Sequence, residues 1–166
     1  MRNVALAFSI AILGSACGMP TGPVYTVEIS LADSVVARRG SGEVNVVIPV
    51  KLKNLDSRPL YYEEGCGHAL QRRDGANWRL VQLPGCQRTV VYSVEIDEGE
   101  SYQFTFRVRV ALPSNAWPAV GAAGEYRMIL WLTSVPRNSF GIPPNPLAAA
   151  SRTSPAFSIR EEVVDF

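Results

Sequence analysis

Apolar and polar side chains alternate with a period of two through three long runs of this chain. "EVNVVIPVKLK" places Val44, Val46, Ile48, Val50 and Leu52 on one face and Glu43, Asn45, Lys51 and Lys53 on the other. "SYQFTFRVRV" repeats the device, with Tyr102, Phe104, Phe106, Val108 and Val110 facing one way and Gln103, Thr105, Arg107 and Arg109 the other. "EYRMILWL" aligns Tyr126, Met128, Leu130 and Leu132. Successive side chains of a strand point to opposite faces of a sheet, so each run predicts a strand with one buried side. From residue 17 onward no segment carries a 3.6-residue repeat, and helix should be minimal. Pro49 falls on the outward face of its run; lacking an N–H, it predicts a sheet edge or a bulge there.

Turn-forming clusters separate the runs: "RRGSGE" at 38–43, "NLDSRP" at 54–59, "RDGAN" at 73–77, "DEGES" at 97–101 and "GAAG" at 121–124. Short turns suit antiparallel hairpins, whereas parallel neighbours need long crossovers. The spacing predicts an all-β, antiparallel sandwich of about seven to eight strands. Two stretches break the rhythm. "ALPSNAWPAVGAAG" (111–124) and "TSVPRNSFGIPPNPLAAASRTS" (133–154) are rich in Pro, Gly, Ser and Ala. Irregular connections of such length are often functional loops. Trp117, Phe140 and Ile142 are their candidate partner-binding residues, with a loop folded back on a sheet edge as the plainer expectation.

The amino terminus changes the chemical setting. "MRNVALAFSIAILGSACGMP" has one basic residue, Arg2, then an apolar run from Val4 to Leu13, then Gly14, Ser15 and Ala16 before Cys17. That run is shorter than the roughly 20 residues needed to cross a bilayer and has the size of a signal-peptide core. It resembles a bacterial lipoprotein signal, which implies cleavage after residue 16 and a lipid on Cys17. Gly14 departs from the large apolar residue usual at that place. The resulting division is a signal at 1–16, a tether at 17–23 and one domain at 24–166, exported and held at the cell envelope, at the outer membrane if the cell has one. Residues 17–166 carry fifteen basic and fifteen acidic side chains, since Arg2 is the only charge removed from the sixteen and fifteen of the full chain. Zero net charge, with basic residues spread along the chain, argues against nucleic acid as a partner.

"YYEEGCGHALQRRDGANWRLVQLPGC" (61–86) holds two of the three cysteines and the only histidine. Cys66, His68 and Cys86 could supply three zinc ligands, but a structural site needs four and Glu63 or Glu64 stands at no recognised spacing. A Cys–His nucleophile pair is conceivable, though no orienting Asn or Asp can be assigned. In an oxidising compartment a bridge is the simplest use of two cysteines once Cys17 carries lipid. The expectation is therefore a Cys66–Cys86 disulfide across a hairpin at 67–72/77–82, no metal or other cofactor, and His68 as a partly exposed strand residue. The acidic groups Glu63–Glu64, Asp97–Glu98–Glu100 and Glu161–Glu162 read as solvated turns or strand ends. No G-x-S-x-G, H-E-x-x-H, G-x-x-x-x-G-K or G-x-G-x-x-G occurs, and no catalysis is expected.

"VIPVKLKNLDSRPLYY", "CGHALQRRDGANWRLV", "IDEGESYQFTF" and "GEYRMILWL" occur in an order that resembles bacterial immunoglobulin-like domains of exported lipoproteins. The shared outline covers about residues 43–132. A strand ends at Asn54, Asp74–Gly75 closes a hairpin before Trp78, and Gly124, Tyr126 and Arg127 open a later strand. The resemblance implies an immunoglobulin-like sandwich, with Tyr126 as a tyrosine corner whose hydroxyl bonds the backbone upstream, and Trp78 packed on the core. It also implies a non-catalytic binding or spacer module of the envelope, anchored through Cys17, with an envelope protein as its partner. The same outline is similar to small immunoglobulin-like proteinase inhibitors of the bacillar intracellular type, which would act through 111–124 or 133–154.

Overall fold

A computed structural model describes residues 22–40, 42–64, 68–82, 92–111, 122–137 and 145–163. The described strands are β1 (Val27–Leu31), β2 (Ser34–Arg39), β3 (Glu43–Asn54), β4 (Leu60–Glu64), β5 (Ala69–Asp74), β6 (Asn77–Gln82), β7 (Tyr92–Ile96), β8 (Ser101–Ala111), β9 (Gly124–Ile129), β10 (Leu132–Thr133) and β11 (Phe157–Val163). One turn of helix, α1 (Ala149–Arg152), interrupts them. An eight-stranded sheet runs β1-β3-β2-β11-β9-β5-β6, with β8 on the other flank of β3, and a three-stranded sheet runs β10-β4-β7. The all-β sandwich read from the sequence is the observed fold, and the period-two runs are its long strands.

The structure adds detail to that reading. Eleven strands are described, with short breaks at Ala32–Asp33 between β1 and β2 and at Leu130–Trp131 between β9 and β10. The sandwich is also not wholly antiparallel, since β11 pairs with β2 in parallel from Ser158↔Ser34 to Val163↔Arg39. No short crossover is required, because nearly the whole domain lies between the two strands.

β3 organises the packing. β8 pairs along its full length, from Glu43↔Ala111 to Lys53↔Ser101. On the opposite flank β1 covers Val50–Asn54 and β2 covers Val44–Val46. Pro49 falls in the gap between them, where a missing N–H costs no ladder bond. The inward residues Val44, Val46, Ile48, Val50 and Leu52 are all buried. From the three-stranded sheet, Tyr62 stacks on Phe104 at 4.6 Å and contacts Tyr102 at 5.3 Å. The short sheet therefore closes over the β3–β8 wing.

The expected tyrosine corner is present. Tyr126 is fully buried and its hydroxyl donates to the carbonyl of Ala122, four residues upstream, at 2.7 Å. The Glu161 carboxylate accepts the Ala122 N–H and pairs with Arg39. The described part of 133–154 folds against the body. Leu147 is buried and donates its N–H to Leu132 at 2.7 Å. The Ser151 hydroxyl accepts from Tyr25 N–H at 2.8 Å and donates to Tyr25 C=O at 2.7 Å, tying α1 to the start of the domain.

Candidate functional site

The hairpin that follows His68 forms at 69–74/77–82, with Asp74 opposite Asn77. Gly75 occupies the turn at φ +59°, a left-handed conformation a side chain would strain. The hairpin therefore starts two residues later than expected, and His68 stands just before its first strand. Cys17, Cys66, Cys86, Trp117, Phe140 and Ile142 lie outside the described residues.

His68 is buried, not partly exposed as its place beside a strand suggested. Its ring stacks on Tyr62 at 5.3 Å and on Phe104 at 5.2 Å, and meets Phe106 edge-on at 5.6 Å. Nε2 lies 2.7 Å from the Tyr62 hydroxyl, while Nδ1 is buried with no hydrogen-bond partner among the described residues. Burial disfavours the imidazolium and lowers the His68 pKa to about 4. Burial likewise pushes the Tyr62 hydroxyl above its ordinary value, with Tyr102 and Glu64 adding to the shift. At neutral pH the pair is thus a neutral imidazole bonded to a neutral phenol. Such a pair can hold the two sheets in register. As a general base it is poorly matched to neutral pH, where an effective base needs a pKa nearer 7.

Below this cluster, Glu63 is 1% exposed and meets the Arg137 guanidinium through two contacts, 2.6 and 3.3 Å long. The Arg137 N–H donates to the Ser93 hydroxyl at 2.9 Å. This fastens the chain leaving β10 to both β4 and β7. Glu63 was a candidate zinc ligand; its carboxylate is instead engaged by Arg137. At the far end of β3, fully buried Asn54 donates to the carbonyls of Arg58 and Ile96 at 2.8 and 2.9 Å and accepts from Asp56 N–H at 3.0 Å.

Trp78 does not pack on the core. Its outward register partner is Arg73, and the half-buried indole lies under the Arg127 guanidinium at 4.5 Å, with Arg73 at 6.0 Å. Arg73 also binds the Glu125 carboxylate at 3.0 Å. The hairpin motif locates Trp78, but which face it occupies depends on the pairing of β5 with both β6 and β9. Sequence reasoning missed the Tyr62–His68 bond, the Glu63–Arg137 pair and the Ser151 tie. The last two join positions 74 and 126 residues apart, and no local pattern announces them.

No family model matches the sequence, and no curated protein matches it. Among solved structures, the chain is similar to the ApaA protein of Bordetella pertussis, at 18% identity over 78% of this chain and 93% of that one, with a TM-score of 0.40. The CARDB domain of the PF1109 protein from Pyrococcus furiosus, solved with two metal ions, is 16% identical over 89% of this chain and 99% of that one, with a TM-score of 0.33. A β-glucosidase of Listeria innocua in complex with glucose is 13% identical over 84% of this chain but 17% of the enzyme, with a TM-score of 0.38. Likenesses this loose carry no argument about activity.

Proposed function

We propose that the chain is a non-catalytic immunoglobulin-like module of the bacterial cell envelope, exported, anchored to the membrane by lipid on Cys17, and binding or spacing other envelope proteins. The observation that supports it best is the burial of the only histidine as a neutral, aromatic-stacked partner of Tyr62. In that setting the imidazole packs the interior rather than transferring protons at neutral pH. The outer faces of the strands are left for contact. Cys66 and Cys86 complete the module as a disulfide. Closing a ring of that length adds about 3 kcal/mol of stability by loop-entropy reasoning.

Mass measurement of the mature chain from its own cell envelope tests the reading. The expected result is a lipid adduct on Cys17 and a gain of two hydrogens on reduction, and C17A should release the protein from the membrane fraction. An unmodified Cys17 overturns the anchor. Hydrolysis of an ester, peptide or glycoside panel that is abolished by H68Q overturns the non-catalytic assignment. Stoichiometric inhibition across a protease panel would replace the module by the inhibitor.

A further inference from the structure

The arginines are spread along the sequence, but the strand register gathers four of them. Arg160 on β11 stands opposite Val36 on β2, and Arg38 on β2 opposite Asn45 on β3. On the other flank of β3, Asn45 faces Arg109 and Val47 faces Arg107 of β8. Alternation turns all of these outward, since their neighbours Ala37, Val46, Val108 and Ile159 are buried. Val36, Arg38, Asn45 and Val47 line a groove of about 520 Å³, and Val47 is 42% exposed. The floor is thus apolar with one amide, and guanidinium groups stand on or beside it from three strands.

The local charge is not balanced. Glu43 binds Arg109 at 2.5 Å and accepts from the Asn45 amide at 2.7 Å. Arg160 reaches the Ser34 hydroxyl at 3.0 Å. Among the described residues no carboxylate pairs with Arg38, Arg107 or Arg160, although Glu162 stands opposite Arg38 in register. Exposed carboxylates collect at the other end of β8 instead. Asp97, Glu98 and Glu100 precede Ser101, which lies beside Lys53 at the far end of β3. Among the described residues, the carboxylates of 97–100 and the guanidinium groups of Arg107 and Arg109 thus stand toward opposite ends of the β3–β8 pair.

We infer that this groove is the docking surface of the module, and that its occupant is an acidic segment of another polypeptide bound in extended conformation. The inference rests on the binding-module reading and specifies its surface and partner chemistry. Guanidinium groups take carboxylates through paired, planar hydrogen bonds. Arg107 and Arg109 are two residues apart on one strand, about 6.7 Å, the same repeat at which an extended peptide presents alternate side chains. Val36 and Val47 offer a floor for a small apolar residue between the carboxylates. A nucleic acid fits less well: the described residues that line the groove include no aromatic ring to stack a base, and Glu43 and Glu162 stand beside it.

The test is fluorescence anisotropy of the full mature chain in detergent with a labelled octapeptide alternating Glu and Val, at low and high salt. The expected result is saturable, salt-sensitive binding that weakens about tenfold or more in R107E/R160E and in V47D, with partial retention in R107K/R160K. K51E/K53E makes the same charge change on the same face of β3 but at its other end, and should stay within about twofold. Melting temperatures close to the parent's confirm that the variants fold. No peptide binding, equal binding of a Lys–Val peptide, an equal loss in K51E/K53E, or tighter binding of a short single-stranded DNA overturns the inference. A lipidated Cys17 together with any of these outcomes removes the docking surface and leaves the anchored module standing.

Discussion

Tyr126 and His68 show how single polar groups are admitted to this core. The Tyr126 hydroxyl is buried and donates to the Ala122 carbonyl. Removing the hydroxyl in Y126F leaves that buried carbonyl short of a donor, so unfolding free energy should fall by about 1–2 kcal/mol with an unchanged denaturant slope in a urea titration. His68 makes stability pH-dependent. Its ordinary pKa of 6.5 is lowered to about 4 in the fold, so between those values the unfolded chain binds more protons than the native one. The contribution is complete above about pH 6.5, declines as the pH falls, and is lost by about pH 4, a total of about 3 kcal/mol. H68F should flatten that part of the stability profile between pH 5 and 6.5, a window above the ordinary carboxylate range. Urea midpoints at several pH values check it. A profile identical to the parent's would mean that the imidazole is solvated.

At the scale of elements, the joints matter more than the strands. The strands follow from alternation, but their ends are held by side chains that reach across the fold: Asn54 at the end of β3, Ser151 from α1 to Tyr25, and Arg137 from the end of β10 to β4. Glu63 is deeply buried, and its carboxylate lies against the Arg137 guanidinium. R137A removes that partner and should destabilise the domain by about 3–5 kcal/mol, read as a fall in melting temperature. In the double variant E63Q/R137A much of the loss should be recovered, because no uncompensated carboxylate remains. Equal losses in the single and double variants would show that the pair contributes packing rather than charge compensation.

The whole molecule is closed by its last described strand. β11 bridges β2 and β9, joining the first part of the domain to the last in a parallel and an antiparallel ladder. Phe157 and Ile159 carry its apolar face into the core. Truncation before residue 157 should remove both and uncover two strand edges at once. The expected outcome is loss of a single cooperative thermal transition together with concentration-dependent aggregation. A truncated chain that still melted cooperatively at the parent's temperature would show β11 to be an accessory strand. The same closure creates the arginine-rimmed groove, because β11, β2, β3 and β8 come from distant parts of the chain.

Period-two alternation by itself determined the all-β class and the inward faces of β3, β8 and β9, and the Asp-Gly pair determined the hairpin turn at 74–75, because each depends on residues a few positions apart. Alternation marked Tyr126 as an inward residue, while the bond from its hydroxyl to the backbone upstream was an expectation of the resemblance to immunoglobulin-like domains. The side of the sheet taken by Trp78, the burial of His68, the parallel seating of β11 and the gathering of four arginines were decided only by tertiary structure. Each depends on which strands become neighbours, and that is set by burying the alternating faces together, a collective choice that no local stretch records. Burial then fixed the chemistry, turning a histidine that could have been a ligand or a base into a packed, neutral ring.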